Sequence, residues 1–360
     1  MISRLLLRDF RNYASLELGG LEKVNIFSGD NGQGKTNLLE SIFFLGMLRS
    51  FRTSQIKDIK RIGSSSFYIG ADLSSSLPWK RLIEVDYGVL RRLRVDSSPV
   101  LKASEFIRQL KVVAFSPDDI NIVAGNSGLR RRFIDIFSSV LSHDYLSLLQ
   151  QYVEVLRHRN ALLKKGDSRQ EIFGAYEELM AELMVKIVLR RIEHLKGLEK
   201  ETKTLVSEFY GEDTPFEMRY RFHQSSDDED SCRERLAAER KKEIQKGFTS
   251  FGPHLDEIEI FLNRKLMRNY GSSGQCRLVS LCLKMAETKI LNSSSEKENP
   301  VIALVDDVTG ELDSRTKELF FKTLKNAGQI FFTFTQIPQE DIFADARIFK
   351  IREGKVSSVL

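Results

Sequence analysis

The stretch Ile26–Ile42, IFSGDNGQGKTNLLESI, decides how the rest of this chain is read. Apolar residues lead into a glycine-rich turn, and Lys35 and Thr36 then open a run with helical apolar spacing. Gly29 to Thr36 fits G-x-x-x-x-G-K-[ST], the phosphate-binding loop. In such a loop backbone N–H groups converge on a polyphosphate, and the N-terminus of the following helix adds favourable partial charge. The candidate nucleotide contacts are Gly29, Asp30, Asn31, Gly32, Gln33, Gly34, Lys35, Thr36 and Asn37. Lys35 reaches the terminal phosphates as a point charge and so also counts as catalytic; the Thr36 hydroxyl is a ligand for Mg²⁺. The loop predicts a nucleoside triphosphate but not what its turnover is for.

Working outward, the chain has 360 residues, enough for about two domains and a sizeable core. Its composition is that of a soluble globular protein, 41% hydrophobic and 29% charged, with a mean hydropathy of −0.26. A net charge of +5 is compatible with nucleic acid but too small to establish it. Cys232, Cys276 and Cys282 form no C-x-x-C pair and no even-numbered disulfide framework, which suits a reducing cytoplasm. The opening MISRLLLRDF has too short an apolar core for a signal peptide, and no stretch approaches the roughly 20 apolar residues of a spanning helix.

Residues 2–7 and 24–28 read as strands, and Asn37–Leu48 as the first helix. YIGADL, RLIEVDYG and RRLRVDSS read as a meander, with turn signals at Leu77-Pro78, Gly88 and Ser97-Ser98-Pro99. From Gly128 to Phe209 the apolar period is helical, as at Leu146, Leu149, Tyr152, Val153 and Leu156. These helices carry charge on most faces and predict a short helical arm rather than a long coiled coil. Alternating strands and helices then return, which indicates a parallel sheet. The expectation is one α/β domain built from residues 1–118 and 248–360, with a helical domain, 119–247, inserted between them.

The apolar run Val301–Val305 ends in Asp306 and Asp307, as a doubly buried parallel strand should where ligands gather at its carboxyl end. Asp306 is the candidate Mg²⁺ holder, and Asp307 the candidate base that orients and deprotonates an attacking water. Asp313, in GELD, is either part of the site or simply a helix N-cap. Upstream, Ser272, Ser273, Gly274 and Gln275 stand at the N-terminus of an apolar helix, a second anion site. Its bland reading is a serine-capped helix.

P-loop, S-x-G-Q, apolar-D-D and E-L-D in this order resemble an ATP-binding-cassette-type ATPase head. The likeness sharpens in LLLRDFRNY, GQGKTNLLE, LRSFRT, FSPDDINIVAGNSGLRRRFID, YVEVLRHRNALLK and FTSFGPHLDEIEI, which are similar to the RecF family of bacterial recombination mediators. The resemblance implies an ABC-type head with a mixed or parallel sheet, an antiparallel meander and the inserted arm. It implies ATP and Mg²⁺ as cofactors, and a homodimer on ATP binding in which Ser272, Gly274, Gln275 and Asp313 reach the partner's ATP. It also implies weak hydrolysis, binding to single- and double-stranded DNA at gaps, partnership with RecR and through it RecO, and a cytoplasmic, nucleoid-associated location. The chain departs from the pattern at Leu255, where Arg is usual, at Cys276, where Gln is usual, and at Thr309-Gly310, where Leu-Ser is usual. Gln336 stands where a switch His would be, so hydrolysis is expected to be slow or tuned differently.

Candidate DNA contacts are Arg49, Arg52 and Lys57, with Lys60 and Arg61 nearby, and Arg130 and Arg131 in the run that ends at Arg132. As a set they offer phosphate contacts without base readout; each taken singly also fits a solvated face or an internal ion pair. Trp79 is the only tryptophan, so a base-stacking platform is not indicated. Two other readings of the P-loop are an ATPase subunit of a membrane transporter and a monomeric GTPase or small-molecule kinase. The second leaves S-x-G-Q and E-L-D unexplained.

Overall fold

The computed structural model describes residues 1–74, 81–142, 144–166, 170–223, 227–294, 300–338 and 341–359. Trp79 and the Leu77-Pro78 turn lie outside them. The chain divides into two compact units, Met1–Asp119 with Lys284–Leu360, and Ile120–Leu283.

The first unit holds two six-stranded sheets. One is an antiparallel meander in the order Tyr13–Gly19, Ile2–Phe10, Phe67–Leu73, Arg81–Tyr87, Arg91–Val95 and Ser98–Pro99. The other runs Lys355–Val359, Arg347–Arg352, Val24–Ser28, Gln329–Phe334, Ile302–Asp306 and Val112–Phe115. Its inner pairs are parallel, and only the C-terminal hairpin is antiparallel. Gln329–Phe334 and Val112–Phe115 are buried along their whole length, which is why they read as unbroken apolar runs. Helix Lys35–Met47 packs on this sheet and also against strands of the meander, where Phe44 meets Phe67 edge to face at 5.3 Å. A helix covered on all sides needs apolar residues all round, and this one is buried from Leu38 to Met47.

The second unit is built on helices Ser127–Leu141, Tyr145–Lys164, Gln170–Tyr210 and Glu229–Lys246, with a three-stranded sheet. Tyr145, Tyr152, Met180, Met184, Ile187 and Leu236 lie in its core. The helices that read as charged on most faces carry some of that charge inside. Arg159 is fully buried, and its guanidinium donates to Glu243 Oε2 at 2.6 Å, Thr249 Oγ1 at 2.8 Å and Glu177 Oε1 at 3.1 Å. Arg191 clasps Asp135 at 2.9 and 3.0 Å and the Pro253 carbonyl at 2.6 Å.

The division between units differs from the expected return at residue 248. Residues 248–283 group with the helices because Glu257–Leu262 pairs antiparallel with Phe216–Arg221. The chain crosses back within helix Ser273–Ser293. Among the described residues no helix is long and apolar enough to cross a membrane.

Candidate functional site

Strand Val24–Ser28 delivers the chain into the P-loop, and Gly29 N–H donates to the Phe334 carbonyl at 3.2 Å. A Cβ on Gly29 would stand 2.3 Å from the Ile351 carbonyl oxygen, closer than backbone atoms can be brought, so only glycine fits. Gly34 caps the helix at φ +112°, a conformation that favours glycine, with Asn12 and Tyr13 pressed against it. Two hairpin turns far apart in sequence hold the loop. Asn12 Nδ2 donates to the Gln33 carbonyl at 3.2 Å, Asn37 Nδ2 to Asn12 Oδ1 at 2.8 Å, and the Tyr13 hydroxyl to the Gly34 carbonyl at 3.1 Å. From the other chain end, Gly354 N–H donates to the Gln33 carbonyl at 3.2 Å and Glu353 N–H to Gln33 Oε1 at 2.7 Å. The sequence reading missed Asn12, Tyr13, Glu353 and Gly354; the turn signals in RNY and REGK mark hairpins, not their destination.

Lys35 is 8% exposed, and its ammonium donates to the Gly29 carbonyl at 2.6 Å and the Asp30 carbonyl at 2.8 Å. Burial lowers its pKa, opposed by Asp307, Asp306 and Asp30. The Thr36 hydroxyl donates to Asp306 Oδ1 at 2.8 Å, so the two proposed metal-holding groups, 270 residues apart in sequence, are adjacent. Thr333, which the sequence reading passed over, donates to the same oxygen at 2.8 Å. Burial raises the Asp306 pKa, and the bonds from Thr36 and Thr333 oppose that rise. The Thr36 and Asp306 oxygens are a hard donor pair suited to Mg²⁺, an ion that keeps much of its shell for phosphate and water.

Asp307 is exposed, with φ +52°. It lines a cavity of about 130 Å³ with Thr309, Lys317, Thr335 and Gln336, room for several waters. An exposed carboxylate at the rim of such a space can orient water and accept its proton.

At the second helix N-terminus, Ser272 N–H donates to Gln275 Oε1 at 3.0 Å and Gln275 N–H to Ser272 Oγ at 3.3 Å. This reciprocal pair is a capping box. Ser272 and Gly274 are exposed, and a Cβ on Gly274 would meet nothing within 4 Å. Cys276 is buried behind them. Asp313 caps helix Ser314–Leu324: its carboxylate accepts from Thr316 N–H at 2.9 Å and Thr316 Oγ1 at 2.7 Å, which holds its pKa low.

The basic candidates separate. Arg49 and Lys57 are exposed. Arg52 turns toward the P-loop helix, donating to Asn37 Oδ1 at 2.8 Å and to the buried Glu40 at 3.3 Å. Arg130 is corrected: at 3% exposure it bonds Glu257 at 2.9 and 3.2 Å and the Gly125 carbonyl at 2.7 Å, and has no surface to offer a phosphate. Arg131 is half-buried and donates to the Asp256 carbonyl at 2.6 Å.

No protein-family model matches the chain. It is 33% identical over 366 residues to the DNA replication and repair protein RecF of Geotalea daltonii, with 99% of each chain covered. A solved structure described as the recombination mediator protein RecF with ATP in the RecFOR pathway superposes with a TM-score of 0.90. That match has 29% identity and covers 100% of this chain and 97% of the other. The Smc head domain of Pyrococcus furiosus aligns at a TM-score of 0.53 with 15% identity, over 99% of this chain and 96% of that one, a likeness of fold alone.

Proposed function

The chain belongs to the RecF family, and on that footing we propose that it is a recombination-repair ATPase whose ATP-bound form is a DNA-binding homodimer. The observation that carries this reading is the 2.8 Å bond from Thr36 to Asp306, which brings the candidate nucleotide and metal groups together at the carboxyl ends of the parallel strands. In this reading ATP lies on the amides of the loop. Lys35 exchanges its carbonyl partners at Gly29 and Asp30 for phosphate oxygens, an exchange of one set of acceptors for a more strongly charged one. Thr36 and Asp306 would hold Mg²⁺, which would supply positive charge against the phosphates. Asp307 orients water in the adjoining cavity and takes up its proton.

The second helix N-terminus supports the dimer. Ser272 and Gly274 are exposed, and the first half-site already supplies a complete cradle, so the natural occupant of the second is the nucleotide of another copy. Asp313 is the further residue that the family resemblance directs to a partner's nucleotide. DNA would bind by backbone charge, with Arg49 and Lys57 as the surface candidates and gapped duplex as the structure favoured by the family resemblance. RecR, and through it RecO, are the partners the same resemblance supplies for loading recombinase. The reading as a transporter's ATPase subunit is not favoured, because the whole-chain relative is a repair protein. Sedimentation with and without ATP and gapped DNA tests the proposal. A doubling of mass with ATP and co-migration with DNA are expected; a monomer that ignores both ligands would overturn it.

A further inference from the structure

Strand Gln329–Phe334 pairs in parallel with Ile302–Asp306, and their register sets Thr333 opposite Asp306. The strand is QIFFTF and buried throughout, with Thr333 itself 1% exposed. A hydroxyl in such a place is costly unless both its donor and acceptor sides are used. Both are. Thr333 Oγ1 donates to Asp306 Oδ1 at 2.8 Å and accepts from Asp307 N–H at 3.1 Å. One hydroxyl therefore touches both members of the acidic pair.

Each contact has a distinct consequence. Thr36 and Thr333 both donate to Oδ1 of Asp306, and among the described residues no donor meets Oδ2. The carboxylate is thus pinned by one oxygen with the other available to a cation's water shell. Asp307 occupies the left-handed region at φ +52°, uncommon for a residue with a Cβ although Asp is among those that reach it. Its amide is held there by Thr333, and that turn carries the side chain to the cavity it shares with Lys317 and Gln336.

We propose that Thr333 is a positioning residue for the ATPase reaction, setting the orientation of Asp306 and the backbone turn that aims Asp307; the proposal rests on the ATPase reading above. A valine would fill the same volume, so what the position needs is the hydroxyl. Thr333→Val and Thr333→Ser are compared with the parent for thermal unfolding, for affinity toward a fluorescent ATP analogue with and without Mg²⁺, and for kcat and KM. The valine variant should bind the analogue without Mg²⁺ within about twofold of the parent, lose most of the Mg²⁺-dependent gain, and drop about tenfold or more in kcat with little change in KM. Serine should restore both to within a few-fold. If valine is too unstable to purify, Thr333→Cys, which keeps the volume with a weak donor, is read in the same way. A valine or cysteine variant with parental kcat and Mg²⁺ dependence, or a serine variant as impaired as valine, overturns the proposal alone. A parent with no Mg²⁺-dependent ATP binding overturns the ATPase reading and the proposal with it.

Discussion

Two helix N-termini in this chain share the same latent chemistry, and the protein treats them in opposite ways. At Gly29–Thr36 the loop is held at Gln33 by turns from both ends of the chain, with Gly29 against the Ile351 carbonyl and Gly34 against Asn12. At Ser272–Gln275 the side-chain bonds among the described residues are those of the capping box, and Ser272 and Gly274 are exposed. A cap needs no more than that for helix stability. The contrast shows that anion affinity at a helix end is generic, while a ligand's residence is decided by what closes around it. One terminus is enclosed; the other is open, as the proposed shared site requires.

The largest expected effect is at the enclosed terminus. Lys35→Ala removes an ammonium that is desolvated beside Asp306 and Asp307, and nothing else in the loop carries positive charge. Losing a charge-assisted contact should weaken ATP about 10- to 150-fold and end hydrolysis. Lys35→Arg should retain binding but hydrolyse poorly, because a planar fork cannot occupy the compact ammonium's place. Nucleotide titration decides it; equal affinity in the Ala variant would give the phosphates to the amides alone and erase the distinction between the two termini.

Next is the open terminus. Ser272→Arg should leave nucleotide affinity of the monomer within about twofold, as for an exposed substitution, while abolishing ATP-induced dimerisation and the hydrolysis that depends on it. Mixing it with Lys35→Ala protein forms dimers with one doubly defective and one intact composite site, so part of the activity should reappear. Absence of recovery at every mixing ratio, or full activity of Ser272→Arg alone, would return Ser272 to capping.

A smaller effect separates two glycines. Gly29→Ala drives a methyl against the Ile351 carbonyl and should cost about 1–3 kcal/mol in stability together with the shape of the loop. Gly274→Ala meets open space inside a helix and should leave the melting temperature unchanged or higher. Calorimetry on both variants reads the difference. Equal destabilisation would mean that the open terminus is packed in solution.

What the sequence made legible follows from distance along the chain. The P-loop, the apolar strand ending in Asp306 and the capped helix after Asp313 are local patterns, readable within about ten residues. Asn12 and Glu353 are not readable that way, because they meet Gln33 from 21 and 320 residues away. The basic run at Arg130 looked like surface for the same reason: its partner Glu257 lies 127 residues downstream. The placement of residues 248–283 turned on which strand Glu257–Leu262 pairs with, and alternation reveals a strand but not its neighbour. Thr333 was invisible among five other buried residues of its strand, since its meaning comes wholly from the register against Asp306.

The smallest effect tests which cations remain for DNA once the buried ones are set aside. Each phosphate contact on duplex contributes about −0.9 to the slope of log K against log salt. Arg49 and Lys57 are exposed, so replacing both with alanine should flatten the slope by up to about 1.8 if each meets a phosphate. Arg130→Met should do the reverse. It leaves Glu257 with Arg268 as its remaining partner and breaks the tie to the Gly125 carbonyl, so stability falls while the slope of the surviving folded protein holds. Measuring binding to gapped duplex across a salt series, alongside thermal unfolding, separates the two. A flatter slope in Arg130→Met at unchanged stability would place that guanidinium at the DNA. An unchanged slope in the Arg49 and Lys57 variant would move the DNA to another face.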